Sequence, residues 1–187
     1  MIGEFRRVGN MLFLSHLVDA SSGNMSALTK DGIWITKTGR SLFNLRMKDI
    51  VKIGFERDIR WNAASSEVEI HVNIYKTIDS AKAIIHAHPT NAIILSLKGY
   101  KSFTPIDYEG SLFLKNVDII DIPFNNWQLA KEEIPQYFKD TNKKVVIAKG
   151  HGVFAISDTL FGALQLVSAL ENSARIFLGV EDGTKDV

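Results

Sequence analysis

Five histidines occur in the 187-residue chain, and three of them sit in unusual settings. His86 and His88 form His-Ala-His in a stretch that reads as a strand, so both side chains point to one face. Two imidazoles placed that way can bind one metal ion. His151 lies between Gly150 and Gly152, at a turn between two apolar runs. Glycines there let the backbone approach closely and let the ring project into a site. Three protein ligands with an open fourth position make a catalytic zinc site. Imidazole nitrogens also accept Co2+, Mn2+ or Ni2+. The plainer reading is two partly buried histidines satisfied by hydrogen bonds, plus an ordinary turn histidine. The chain has no cysteine, which excludes thiolate metal sites, disulfide scaffolds and cysteine nucleophiles.

Other small polar segments suit an anion. Ser65-Ser66-Glu67 precedes a helix, whose N-terminus favours phosphate and where a first-turn carboxylate is stabilised. An ordinary N-cap explains the same residues. Ser22-Gly23-Asn24 and Thr36-Lys37-Thr38-Gly39 are loops whose backbone amides can wrap a phosphate, with Lys37 adding charge. Taken singly, each reads as a turn. His16 and His71 have no motif partner and read as structural, and Trp34, Trp61 and Trp127 read as packing.

The elements that must position these residues follow from apolar periodicity. Residues 4–18 read as a helix with Phe5, Val8, Leu12 and His16 on one stripe. Met25–Thr29 and Ile33–Thr36 flank Lys30-Asp31-Gly32, a hairpin signal, and Asp49–Phe55 is a strand. Val68–Tyr75 alternates like a strand, but Ser66 and Glu69 have capping-box spacing, and helix is the reading taken. Ala83–Ala87 is a buried strand ended by Pro89, Thr90–Leu97 a helix and Val117–Ile122 a strand. Asn126 caps a helix to about Phe138 that Pro135 should kink or interrupt. Val145–Lys149 and Val153–Ile156 are strands, and Asp158 caps a last helix ending near Gly179. Mixed elements throughout predict an α/β or α+β fold, with 1–187 forming one domain.

Composition narrows the partners. Apolar residues make up 45% and charged residues 23%, as in ordinary globular proteins. Lys plus Arg is 22 against 21 for Asp plus Glu, which argues against a nucleic-acid binder held by phosphate contacts. No apolar run is long enough for a membrane helix. The N-terminus carries charges where a signal peptide has its apolar stretch, and a cytoplasmic location is expected.

In order, the chain carries Gly23-Asn24-Met25-Ser26, Thr36-Lys37-Thr38-Gly39, Ser65-Ser66-Glu67, His86-Ala87-His88-Pro89 and Gly150-His151-Gly152. That order and spacing resembles the class II aldolase/adducin family, over about residues 4 to 178. The resemblance implies a three-layer α/β/α sandwich on a mostly antiparallel sheet. It implies His86, His88 and His151 as Zn2+ ligands and Glu67 as catalytic acid/base. Asn24, Thr38, Gly39, Ser65 and Ser66 would then match the phosphate-binding loops. It also implies helix for the segment after Ser-Ser-Glu, and a homotetramer with active sites at subunit interfaces. The implied chemistry is aldol cleavage of a small ketose phosphate to dihydroxyacetone phosphate and an aldehyde. A divalent ion would stabilise the enediolate, and a free carboxylate would move the proton.

The match has departures. Family aldolases protonate the leaving aldehyde with a tyrosine from the neighbouring subunit. Here Tyr108 stands 20 residues after His88 in Pro105-Ile106-Asp107-Tyr108-Glu109-Gly110, where Asp107 or Glu109 are alternatives. Lys37 stands where proline is common, and only Glu181–Val187 follows the last helix, a polar tail expected to be mobile. Rival readings are a pentulose-phosphate 4-epimerase, a thiosugar-phosphate dehydratase and a non-catalytic adducin-like oligomeric module. The epimerases carry aspartate where Glu67 stands, and adducin heads are not expected to keep the three histidines.

Overall fold

The computed structural model describes residues 1–183. The element order is α1 (Ile2–Leu14), β1 (Asn24–Thr29), β2 (Gly32–Thr36), β3 (Ile50–Ile53), α2 (Val68–Thr77), β4 (Ala83–Ala87), α3 (Thr90–Leu97), β5 (Ser102–Phe103), α4 (Tyr108–Phe113), β6 (Val117–Ile120), α5 (Ala130–Thr141), β7 (Val145–Ala148), β8 (Gly152–Ser157) and α6 (Leu160–Gly183). The strands form one sheet in the order β3-β2-β1-β4-β8-β7-β6-β5. Every pairing is antiparallel except β6 with β7.

Two-residue alternation divides the strands between two cores. On β4, Ala83, Ile85 and Ala87 face one side with Val153 and Ala155 of β8, packing against α1, α3 and α6. Ile84 faces the other side with Phe154 and Ile156, packing against α2 and α5. The result is the expected α/β/α sandwich on a mostly antiparallel sheet. Val72 and Ile74 of α2 are fully buried, and each such side chain stabilises the fold by about 2 kcal/mol.

Several expectations shift at the boundaries. His16 lies at φ +56°, exposed beyond the end of α1, rather than on its buried stripe of Phe5, Val8 and Leu12. The hairpin forms with Thr29 opposite Gly32. Glu69 makes no capping box with Ser66; its carboxylate pairs with Arg57 at 3.2 Å and Lys131 at 3.0 Å, and two cations outweigh one amide. Thr159, not Asp158, caps α6, its Oγ1 accepting from the Gly162 N–H at 3.0 Å. The helix extends past Gly179 to Gly183, and residues 184–187 of the expected tail lie outside the described residues.

Asn126 does not cap α5. It sits at a kink within a 3-10 segment, Phe124–Leu129, and the α-helix starts at Ala130. Pro135 lies inside α5 without ending it. Proline lacks the N–H that would bond the Lys131 carbonyl. The Asn73 side chain on α2 donates to that carbonyl instead, at 2.8 Å. β5 and α4 were not expected from the sequence.

Candidate active site

β4 and the turn before β8 bring the three histidines together. His86 is buried near the end of β4, opposite Phe154 of β8. His88 follows the strand, its N–H bonded to the Leu17 carbonyl at 2.9 Å. His151 sits in the β7–β8 turn. Gly152 is needed beside it: a Cβ there would lie 2.5 Å from the Ala87 carbonyl oxygen and 2.8 Å from a His88 ring carbon.

One ligand nitrogen from each of the three histidines lies within 4.8 Å of the other two. The His86 Nε2 is 2.8 Å from His88 Nε2 and 3.1 Å from His151 Nε2. The other nitrogen of His86, Nδ1, faces the Val153 carbonyl at 3.1 Å. A carbonyl only accepts, so Nδ1 carries the proton and Nε2 presents its lone pair to the other two rings. Burial pushes the His86 imidazolium down to about 3, with Glu67 opposing the shift, and burial lowers His88 too. Neutral imidazoles converging on one point are what a divalent ion requires. The donor set therefore fits a metal, and this group of histidines can hold one.

Glu67 closes the arrangement as the N-cap residue of α2, and it is 8% exposed. Its Oε2 accepts from Asn24 Nδ2 at 2.8 Å and lies 3.4 Å from His86 Nε2. Its Oε1 lies 3.4 Å from His151 Nε2. Burial opposes its charge, but hydrogen bonds from the His151 ring and the Asn24 amide outweigh that and hold the carboxyl well below the usual carboxylate range. The Ser65 Oγ accepts from the Glu67 N–H at 3.2 Å, which fixes the entry to α2.

A cavity of about 190 Å³ opens in front of these groups. It is lined by Asn24, Thr38, Gly39, Ser65, Ser66, Glu67, His86, His88 and His151, so the expected site residues meet there with the exception of Tyr108. Lys37, Ser21 and Ser22 line it as well. Ser21 was missed from the sequence. Its backbone N–H and that of Ser22 bond the Asp19 carboxylate at 2.9 and 2.8 Å, which shapes the loop. Gly23 follows at φ +75°, where a Cβ would lie 2.7 Å from Val18 and 2.9 Å from the His86 carbonyl oxygen. Trp127, expected only to pack, stacks on the His151 ring with centroids 4.0 Å apart.

Tyr108 begins α4, is 84% exposed and lies outside this cavity. Asp107, one alternative to it, is the N-cap of α4 and accepts from the Gly110 N–H at 2.8 Å. A larger cavity of about 390 Å³ lies between α1, α4 and α6. Glu109, the other alternative, lines it, together with Met11 and Phe113 but without any of the three histidines.

The family model for the class II aldolase and adducin N-terminal domain matches residues 4–178. The chain belongs to that family. It is 28% identical over 177 residues to the L-fuculose phosphate aldolase of Methanocaldococcus jannaschii, covering 94% of each chain. It is 24% identical to the methylthioribulose-1-phosphate dehydratase of Pseudoalteromonas translucida, covering 91% of this chain and 86% of that one. The crystal structure of L-fuculose-1-phosphate aldolase from Thermus thermophilus superposes with a TM-score of 0.90 at 30% identity, covering 98% of this chain and 95% of that one. The class II aldolase family is typically metal-dependent, in line with the His86, His88 and His151 cluster. Among the described residues no helix is long and apolar enough to cross a membrane.

Proposed function

We propose that this chain is a zinc-dependent aldolase that cleaves a small ketose phosphate to dihydroxyacetone phosphate and an aldehyde. The observation that carries the reading is the cluster of three imidazole Nε2 atoms against an ionised, buried carboxylate that already spends one oxygen on Asn24. His86, His88 and His151 would hold the ion, and the same donors suit Co2+, Mn2+ or Ni2+. When bound, such an ion polarises the substrate carbonyl and stabilises negative charge developing on its oxygen.

The remaining work falls to the chain's own residues. In the cleavage direction the hydroxyl on the leaving carbon gives up its proton, and the carbon–carbon bond breaks. The electron pair goes to the carbon next to the carbonyl, and Glu67, once it has taken a proton from solvent, delivers it to that carbon to complete dihydroxyacetone phosphate. Asn24 holds the carboxylate in place for the transfer. Thr38, Gly39, Ser65 and Ser66, with Asn24 at their edge, surround the phosphate, and Lys37 adds positive charge to the same cavity. That grip positions the reacting end of the substrate. Tyr108 would relay the hydroxyl proton, its phenol oxygen receiving the substrate's proton as its own passes to solvent. It lies outside its own chain's cavity, so in this reading it serves the cavity of a neighbouring copy within a homotetramer.

Zinc-loaded protein incubated with dihydroxyacetone phosphate in heavy water tests the proposal. Loss of the hydroxymethyl proton, followed by NMR, is expected with metal and is expected to stop on chelation. Tyr108→Phe is expected to keep this exchange and lose ketose phosphate cleavage; unchanged cleavage would remove Tyr108 from the reaction. Absence of exchange with zinc bound would overturn the aldolase reading. It would favour a thiosugar-phosphate dehydratase, the activity named for the Pseudoalteromonas relative.

A further inference from the structure

His88 and His151 arrive at the cavity from separate parts of the chain, and one helix spans the gap between them. α3 begins two residues after His88 and packs against α6. At its start, Glu171 of α6 accepts from the Asn91 N–H at 3.0 Å and the Asn91 side-chain amide at 2.7 Å through one oxygen. It accepts from the Ala92 N–H at 3.0 Å through the other. One carboxylate thus satisfies two otherwise free N–H groups of the helix N-terminus, where negative charge is favoured. Towards its end, the fully buried Ser96 donates to the Ile93 carbonyl at 2.7 Å and accepts from the Gly150 N–H at 2.9 Å. Gly150 is the residue before His151. Ala92 and Leu95, both fully buried, anchor α3 in the core between these two ends.

We propose that α3 is a brace that sets the separation of His88 and His151, with Glu171 and Ser96 as positioning residues at its two ends. The inference rests on the reading of the three histidines as metal ligands. Neither residue touches the metal position. Glu171 acts through the first turn of α3, three residues after His88, and Ser96 acts through the backbone next to His151. A freed Gly150 N–H lets the turn drift, and the His151 ring moves with it. Removing supports of this kind weakens metal binding by about 10- to 100-fold.

The test uses the full chain with Co2+ as the probe, titrated by its visible absorption. Ser96→Ala is expected to bind Co2+ about tenfold more weakly than the parent, with a shifted absorption band. Glu171→Gln keeps one acceptor oxygen and is expected to show a smaller loss in the same direction. It carries the test if Ser96→Ala does not fold. Parent-like affinity and band position in both folded variants, or in Glu171→Gln alone where only it folds, would overturn the brace. Failure of the parent chain itself to bind Co2+ would overturn the metal reading on which the brace depends, so the two failures are distinguishable.

Discussion

Asn24 and Ser26 lie two residues apart on β1 and face the same helix, yet the clusters they join differ in kind. Asn24 meets Glu67 at 2.8 Å, whereas Ser26 meets His71 Nδ1 at 2.7 Å and the Tyr75 hydroxyl at 2.8 Å. Glu67, His71 and Tyr75 follow one another at four-residue spacing, so one face of α2 serves both. Around His71 the group is sealed: Ser26 and His71 are fully buried and Tyr75 is 5% exposed. The Ser26 hydroxyl joins the His71 ring to the Tyr75 phenol, and burial pushes the phenol above its usual range, so it stays neutral. Around Glu67 the balance reverses. A carboxylate and three Nε2 atoms face one another, with the Asn24 amide as a donor from outside the group, and a cavity opens in front. A sealed cluster of neutral groups, even one that leaves the His71 Nε2 without a hydrogen-bond partner, offers no ligand a way in and serves the fold. One with surplus acceptors beside a cavity is built for a cation.

The contrast is tested most severely at Glu67. Glu67→Gln preserves shape and volume and removes the proton-carrying group. Turnover should fall on the order of 10³-fold, about 4 kcal/mol in the barrier, with metal content unchanged. A glutamine variant with parental turnover would take Glu67 out of the chemistry.

The next largest effect belongs to the sealed cluster. Burial pushes His71 down to about 4 from an ordinary 6.5, with Glu67 opposing the shift. The folded-state value lies below the unfolded one, so between these limits the unfolded chain binds the extra proton. The stability due to neutral His71 is complete above pH 6.5 and is lost as pH falls towards 4. The loss amounts to about 3 kcal/mol. Urea unfolding of the parent and of His71→Leu across this range should show the parent losing that much relative to the variant. A constant difference would mean that His71 is not held neutral by burial.

How much of this could be read in advance depends on what each residue answers to. The histidines were legible because the spacing of His86 and His88 and the glycines around His151 are local facts. Glu67 was legible through the order of motifs; alone, it resembles any first-turn carboxylate. The strand-like alternation of 68–75 misleads because α2 is packed between the sheet and α5. Val68, Ile70, Val72 and Ile74 are all buried, and only a narrow polar face of Glu69, Asn73 and Lys76 marks the helical period. Pro135 is tolerated because of Asn73, a partner 62 residues away that no local rule supplies. Glu69 similarly prefers Arg57 and Lys131, which only the fold brings near. β5 and α4 escaped because two and six residues are too few to show a period. The stacking of Trp127 on His151 depends on the kinked segment around Asn126, which carries no sequence signature.

The smallest effect sharpens the contrast, because it concerns the residue next but one to Asn24. Ser26→Ala removes the hydroxyl that joins His71 to Tyr75 and leaves both groups buried without it. Leaving buried polar groups unpaired costs about 1–3 kcal/mol each. His71 and Tyr75 stand one helical turn apart, so a partial re-pairing should hold the total near 2 kcal/mol. Metal affinity should stay at the parental value, since Ser26 contacts neither the histidine cluster nor Glu67. Parallel chemical unfolding and Co2+ titration of the variant separate the two quantities. A loss of metal affinity comparable to the loss of stability would show that the two clusters along α2 act as one unit, and that the division drawn between them is wrong.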